Sequence, residues 1–166
     1  MFHQVRVCEK DCDALHFLWW PGGNMSKTPK TYCMRVHLFG TTSSPSCAAY
    51  ALKKTASNNA DKFEAEVIST VGRNFYVDDC LKSVPSEKEA VNLVADLQSL
   101  MRLGGFRLTK WISNSRTVLN TIPDSERAPT VVSLDHGDVL SCDCALGVNW
   151  NVNDDTITFT SFNKRC

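Results

Sequence analysis

Long apolar runs, a net charge and internal repeats are all missing from this chain of 166 residues. No apolar run approaches the ~18 residues that a membrane-spanning helix requires. Charged side chains interrupt the first twenty positions, so the apolar core of a secretory signal is missing as well. We therefore expect a cytoplasmic protein with no membrane partner. Low-complexity and collagen-like classes are excluded because 43% of the residues are hydrophobic.

The formal charge is zero, from 18 basic and 18 acidic residues. A balanced charge argues against a nucleic-acid partner, since phosphate binding usually needs a basic excess. The balance is uneven along the chain, however. The stretch from Gln98 to Pro123 holds Arg102, Arg107, Lys110 and Arg116 and no acidic residue. The average charge therefore hides a basic segment.

Eight cysteines occur in the chain, and without a secretory signal we expect them to be free thiols. Cys8, Cys12 and His16 are spaced by four residues, which on an α-helix would place them on one face as three ligands of a zinc ion. A fourth ligand, Cys33, would have to fold back towards them. The alternative is that these small thiols only fill gaps in the core.

Hydrophobic patterning predicts a mixed α+β domain with helices packed on one face of an antiparallel sheet. The helix signals are a Ser44-Pro45 start continuing through Cys47 to Thr55, a segment from Asp61 to Val71, and a Ser86/Glu89 capping box whose helix stops at Gly104-Gly105. Alternation predicts strands at Tyr32 to Leu38, Phe106 to Ile112, Ala145 to Trp150 and Thr156 to Phe162, with an acidic turn at 153–155. The polar run Ser113 to Arg127 is the candidate domain boundary.

Two adjacent aspartates interrupt a β-prone segment. Arg73 to Val77 precedes Asp78-Asp79, and Cys80 to Val84 follows, which predicts a hairpin with both carboxylates at its tip. The charges repel each other, and turn chemistry alone would favour Asp-Gly. The pair is either a solvated turn or a rigidly held ligand set for hard divalent cations.

Tyr76-Val77-Asp78-Asp79 matches the Tyr-x-Asp-Asp signature of reverse transcriptases, and the chain resembles the reverse transcriptase of BEL/Pao-type retrotransposons. Blocks in the same order carry the resemblance: Met1 to Val5, Phe17 to Trp20, Val36 to Gly40 with Ser43 to Ser46, Asn74 to Asp79, Gly105 to Trp111 and Ala145 to Val148. The resemblance implies a partial polymerase palm at 1–112, and primer-grip strands with the start of a connection region at 113–166. An intact element would hold this domain in a virus-like particle, joined to the rest of a pol polyprotein.

The resemblance also implies roles for individual residues. Asp78 and Asp79 would bind two Mg²⁺ ions, with Mn²⁺ as a possible substitute, and Tyr76 would pack near the primer end. Lys110 would protonate the leaving pyrophosphate, or else is an ordinary solvent-facing lysine. The nucleotide and template contacts would be Phe2, Phe39, Gly40, Ser44 and Pro45, and the primer would contact Leu146 and Gly147. The substrates would be an RNA or DNA primer-template and deoxynucleotides.

A third metal-binding aspartate of this family stands five residues before the position that matches Phe2, and so before Met1. We therefore expect the chain alone to lack polymerase activity and to depend on upstream sequence for folding. Two alternatives stay open. The same surface could hold nucleic acid without catalysis, as a remnant retained by the host, or the chain could be a small zinc protein built on Cys8, Cys12 and His16.

Overall fold

A computed structural model describes residues 1–131, 142–145, 148–152 and 154–158. Its elements in chain order are β1 (His16–Trp19), β2 (Lys30–Cys33), α1 (Ser44–Asn58), α2 (Ala65–Arg73), β3 (Phe75–Tyr76), β4 (Asp79–Cys80), α3 (Glu87–Leu103), α4 (Arg116–Asn120), β5 (Cys142–Ala145), β6 (Val148–Asn151) and β7 (Thr156–Thr158). Short 3₁₀ turns cover Phe2–Gln4, Glu9–Leu15, Pro21–Gly23, Asp124–Glu126 and Pro129–Val131. The protein is therefore α+β, as its sequence predicts. The predicted single antiparallel sheet with helices packed on one face is wrong, because the described strands form three separate sheets and the main core lies between the helices.

The described strands form three separate antiparallel sheets: β1 with β2, β3 with β4, and β5-β6-β7. The main hydrophobic core lies between the helices and is built from Leu52 and Ala56 of α1, Val67 and Val71 of α2, Leu97, Leu100 and Met101 of α3, and Phe106. A second, smaller core joins Leu119, Ala128, Val131 and Val152. Among the described residues, no helix is long and apolar enough to cross a membrane.

The three helices predicted from local signals are confirmed. In α3, Ser86 is the N-cap, because the backbone N–H of Glu89 donates to its hydroxyl at 3.3 Å and that hydroxyl donates to the Glu89 carboxylate at 2.9 Å. Gly104 follows the last helical residue. Helix α1 begins at Ser44 with Pro45 in its first turn. Helix α2 begins at Ala65, later than the predicted Asp61, because Asn59 and Lys62 form a turn after α1.

Three of the four strands predicted from alternation are wrong in whole or in part. The strand predicted for Tyr32 to Leu38 ends at Cys33, and beyond it Val36 makes only an isolated bridge to Arg6. The segment from Phe106 to Ile112 is not a strand, because Trp111 alone bridges to Arg127 and the backbone turns at Lys110, whose φ is 60°. Phe106, Leu108 and Trp111 pack on the helical core, whereas Lys110 is exposed and Ile112 packs on the second core.

The third wrong strand is the one predicted to run from Ala145 to Trp150. Two antiparallel strands occupy this region instead, with Ala145 opposite Val148. The later strand is confirmed at Thr156–Thr158, and positions 159–162 lie outside the described residues. The acidic turn is confirmed at Asp154 and Asp155, whose carboxylates accept hydrogen bonds from Asn151 and Trp150 at 2.8 and 2.9 Å.

Candidate active site at the aspartate hairpin

The hairpin that carries the two aspartates grows directly from the end of α2. Phe75 pairs with Cys80 and Tyr76 pairs with Asp79, which leaves Val77 and Asp78 as a two-residue loop. Asn74 closes the base, because its side-chain amide donates to the carbonyl of Leu81 at 2.7 Å and its own carbonyl accepts from the Leu81 N–H at 3.1 Å. Asn74 is a positioning residue that the sequence pattern did not single out.

The hairpin is shorter and tighter than its sequence predicts. Asp78 lies in the loop and Asp79 is the first residue of β4, so both aspartates lie at the hairpin tip, as predicted, although only Asp78 belongs to the loop. The predicted continuation of the second strand to Val84 is wrong, since β4 ends at Cys80. The two-residue loop holds only Val77 and Asp78, and Asp79 therefore belongs to the strand that pairs with Tyr76.

Val77 occupies a strained position at this tip. Its φ is 55°, in the left-handed region where a β-branched side chain is disfavoured. Of the two loop residues, only Val77 has a positive φ, a pattern that hairpins usually meet with glycine at that position. Strain of this kind concentrates at functional sites. The hairpin therefore accepts an unfavourable backbone while presenting Asp78 to solvent.

Both aspartates and Tyr76 are exposed. Tyr76 has 67% of its surface exposed and lies opposite Asp79. Neither carboxylate forms an ion pair or hydrogen bond with another described residue. Two neighbouring, unpartnered carboxylates can supply oxygen ligands to a hard divalent cation. A third ligand is not assembled, because the described residues contain no cluster of three or more His, Cys, Asp or Glu side chains fit for a metal.

The flanking residues hold the hairpin without touching its carboxylates. Burial raises the pKa of the Cys80 thiol to about 11, against a smaller opposing effect from the Lys82 charge. Cys80 is therefore a neutral packing residue of β4 at neutral pH. After the strand, Lys82 forms an ion pair with Glu66 of α2. The chain leaving the hairpin is thus tied to the helix that precedes it.

A second group of predicted site residues gathers before α1. The rings of Phe2 and Phe39 meet edge to face with their centroids 4.8 Å apart, and His3 contacts Phe39 at 5.5 Å. Phe2 is buried while Phe39 is exposed. Backbone pairing brings them together, since the N–H of His37 donates to the carbonyl of Val5 at 3.0 Å. His3 belongs to this group, and no sequence signal pointed to it.

The loop from Phe39 to α1 contains the remaining residues of this group. Gly40 has φ of 85°, which a residue with a side chain rarely adopts. Ser44 is buried and its hydroxyl contacts Thr41 and the His37 ring, the latter at 3.4 Å. Pro45 is exposed in the first turn of α1. The Ser44 hydroxyl is therefore engaged by Thr41 and His37 within the protein, and Pro45 is the residue of this pair that is exposed to solvent.

The other predicted site residues lie apart from the hairpin or outside the described residues. Lys110 is exposed, and the neighbouring Trp111 exchanges backbone hydrogen bonds with Glu126 and Ala128, both at 3.0 Å. Within the described part of the chain, no hydrogen bond or ion pair joins the Lys110 segment to the hairpin. Leu146 and Gly147 lie outside the described residues.

The basic segment is partly neutralised by the acidic one that follows it. Arg107 Nε lies 3.3 Å from a carboxylate oxygen of Glu126, and the Gln98 amide donates to the other oxygen at 3.0 Å. Arg102 and Arg107 line an open cleft of about 270 Å³ beside Glu126. The separation of charge along the sequence is therefore reduced by folding.

The proposed zinc ligands do not assemble. Residues Glu9–Leu15 form a 3₁₀ helix, which has about three residues per turn, so a spacing of four does not align side chains. Cys8 is exposed, Cys12 is buried, and His16 begins β1. Cys33 does fold back, but its thiol donates to the Cys12 carbonyl at 2.7 Å. The assumption of an α-helix behind this zinc site is wrong.

The fold and site define the chain as an α+β protein with an exposed aspartate hairpin beside a helical core. In comparisons with models of protein families, with curated proteins and with solved structures, nothing matches this chain.

Proposed function

We propose that this chain is palm sequence of a BEL/Pao-type reverse transcriptase, in which the aspartate hairpin contributes to metal-dependent nucleotide addition. One observation carries the proposal: blocks that are far apart in the sequence and that resemble this family converge on one core. Met1 and Val5 of the first block, Phe75 of the aspartate block, and Leu108 and Trp111 of the Lys110 block all pack against the core of α1, α2 and α3.

The chemistry of nucleotide addition fits the exposed carboxylates. Two Mg²⁺ ions activate the primer hydroxyl and stabilise the charge on pyrophosphate, and they need carboxylate oxygens on a rigid support. The hairpin offers Asp78 and Asp79 without competing ion pairs, and Asn74 fixes its base. Tyr76 is exposed and lies opposite Asp79, and in this proposal it contacts the primer end. Lys110 is proposed as the acid for pyrophosphate in the assembled polymerase.

A non-catalytic nucleic-acid-binding protein is the second candidate. This candidate is favoured because the hairpin supplies two carboxylates, Asp78 and Asp79, and the described residues assemble no group of three metal ligands. In this reading the same fold holds a nucleic acid but adds no nucleotide. The two candidates differ in whether the hairpin binds a divalent cation.

Paramagnetic Mn²⁺ titration, followed by backbone NMR, tests the hairpin directly. We expect selective broadening of amide signals from Asn74 to Leu81 at substoichiometric Mn²⁺, since the carboxylates are the only acids in that segment. Asp78→Asn should remove the broadening, while Asp61→Asn, at an exposed acid between α1 and α2, should leave it unchanged. Equal broadening in Asp78→Asn would contradict the metal assignment.

Primer extension separates the two candidates. The chain should be tested alone and joined to the upstream sequence of its own reading frame, with an RNA template, a DNA primer and Mg²⁺. The polymerase proposal expects extension only with the upstream sequence present, and its loss in Asp78→Asn. Template binding without extension in the longer protein would favour the non-catalytic candidate.

A further inference from the structure

The β1–β2 hairpin exposes aromatic rings on one face. Phe17 lies opposite Tyr32 and Trp19 lies opposite Lys30, so these four side chains share a face. The rings of Phe17 and Tyr32 stack with centroids 5.9 Å apart and an interplanar angle of 29°. Exposure is 40% for Phe17, 39% for Tyr32 and 51% for Trp19. We call these three rings with Lys30 the aromatic platform.

The platform is wider than an isolated exposed residue. Trp20 meets Trp19 edge to face with centroids 6.0 Å apart, which extends the aromatic surface to the end of β1. The opposite face of the same hairpin presents Leu18, Thr31 and His16, without a stacked pair. Aromatic rings grouped on one exposed sheet face point to an interaction site.

Charge identifies the class of partner. From Ala14 to Ala60 the chain contains no aspartate or glutamate, although its overall charge is zero. Lys30 belongs to the platform, and Lys27 stands in the exposed loop that joins the two strands. Neither lysine forms an ion pair with a described residue. The nearest acids along the chain lie at the other end of the hairpin, where Asp13 contacts His16 at 3.7 Å.

We infer that the aromatic platform binds single-stranded nucleic acid, with bases stacked on Phe17, Tyr32 and Trp19 and phosphates held by Lys27 and Lys30. Flat exposed rings beside unpaired lysines are what sequence-tolerant single-strand binders use, because every base offers a π-face and every linkage a charge. A duplex keeps its bases stacked internally and cannot supply them to the platform. This site needs no divalent cation and does not depend on the aspartate hairpin.

Fluorescence anisotropy with labelled twelve-residue oligo(U) and oligo(dT), in EDTA, tests the inference. We expect both single strands to bind more tightly than a duplex of the same length. Trp19→Leu and Tyr32→Leu should each raise Kd by about tenfold, the loss of one stacked base. Because these side chains are exposed, the variants should keep the far-UV circular dichroism of the parent protein.

Matched controls separate stacking from general apolarity and charge. Leu18→Ala, on the opposite face of β1, and Tyr50→Leu, at an exposed tyrosine of α1, should leave Kd within twofold. Lys27→Gln with Lys30→Gln should weaken binding and reduce the slope of log Kd against log salt by about 1.4, since each single-strand phosphate contact contributes about 0.7. Lys88→Gln on α3 should change neither.

Three results would overturn the inference. The first is that the protein does not bind single strands, and the second is that the parent and both ring variants have equal Kd values. The third is that the protein is an oligomer, and that Trp19→Leu dissociates it without changing the affinity for oligonucleotides. Asp78→Asn should bind oligonucleotides normally in EDTA. A negative oligonucleotide-binding result would therefore not affect the proposal of metal binding at the aspartate hairpin. A negative Mn²⁺ result would likewise not affect the proposal for the aromatic platform.

Discussion

Gly104 ends α3 against the side chain of Thr55 in α1, and alanine at this position has no room. A Cβ atom built on Gly104 would lie 2.7 Å from Thr55 Cγ2 and 3.0 Å from its Cβ, and closer still to the hydroxyl. Real Cβ atoms essentially never approach a neighbour within 3.0 Å, so the helices must move apart or Thr55 must rotate. Rotation would break the bond that its hydroxyl donates to the Ala51 carbonyl at 2.9 Å.

We expect Gly104→Ala to destabilise the protein by about 2 kcal/mol, within the usual cost of overpacking. The backbone is not the obstacle, because φ at Gly104 is −90° and any residue can adopt it. Thr55→Ala removes the two closest atoms but keeps the Cβ at 3.0 Å, so Gly104→Ala in that background should still cost about 1 kcal/mol. The two substitutions should therefore couple by about 1 kcal/mol.

Urea unfolding followed by circular dichroism measures these four free energies. A loss of 2 kcal/mol should lower the melting temperature by about 4–8 °C in a chain of this size. Gly72→Ala is the matched control, since its Cβ in α2 meets no atom within 4 Å and helix propensity favours alanine by up to about 1 kcal/mol. If Gly104→Ala were neutral, or equally costly in both backgrounds, the described packing of α1 on α3 would be wrong.

Four further outcomes follow from capping, burial and core packing. Ser86→Ala should cost about 1 kcal/mol in urea unfolding because α3 loses its cap, whereas Ser83→Ala, in the exposed loop before it, should cost little. Burial raises the pKa of Cys80 from 9.0 to about 11, so its contribution to stability should be complete below pH 9 and should be lost as pH rises through 11. The Cys80→Ala variant should not show this loss of stability at high pH. At pH 8, iodoacetamide should alkylate Cys80 at least about tenfold more slowly than exposed Cys8, as peptide mass spectrometry would show. Leu100→Ala, at a fully buried core position, should cost about 3 kcal/mol of unfolding free energy.

Local signals predicted the helices and the aspartate hairpin well. The Ser86 cap of α3 lies within four consecutive residues, and the hairpin strands are separated by two residues, so short-range chemistry decides both. The length of the loop was not predicted, because alternation cannot tell whether Asp79 belongs to the loop or to the strand. Val77 was not predicted at the strained position, since its residue type disfavours it.

Long-range pairing explains most of the errors. Phe106 and Leu108 follow the alternating pattern because they pack on a helical core, and the pattern breaks at exposed Lys110, where the backbone turns. Similarly, β1 was not predicted, because its partner β2 lies across a loop and both strands are largely exposed. Periodicity shows which side chains share a face and is silent on what covers that face.

The same limit applies to charge, because a neutral total does not show where along the chain the charged residues lie. A neutral total argued against nucleic acid, yet the acid-free segment from Ala14 to Ala60 contains the aromatic platform, the Phe39 loop and the start of α1. The acids that balance it lie elsewhere, at the aspartate hairpin and in partners such as Glu126, which pairs with Arg107. A strand on the platform would meet lysines without paired acids, whereas a cation would be drawn to Asp78 and Asp79.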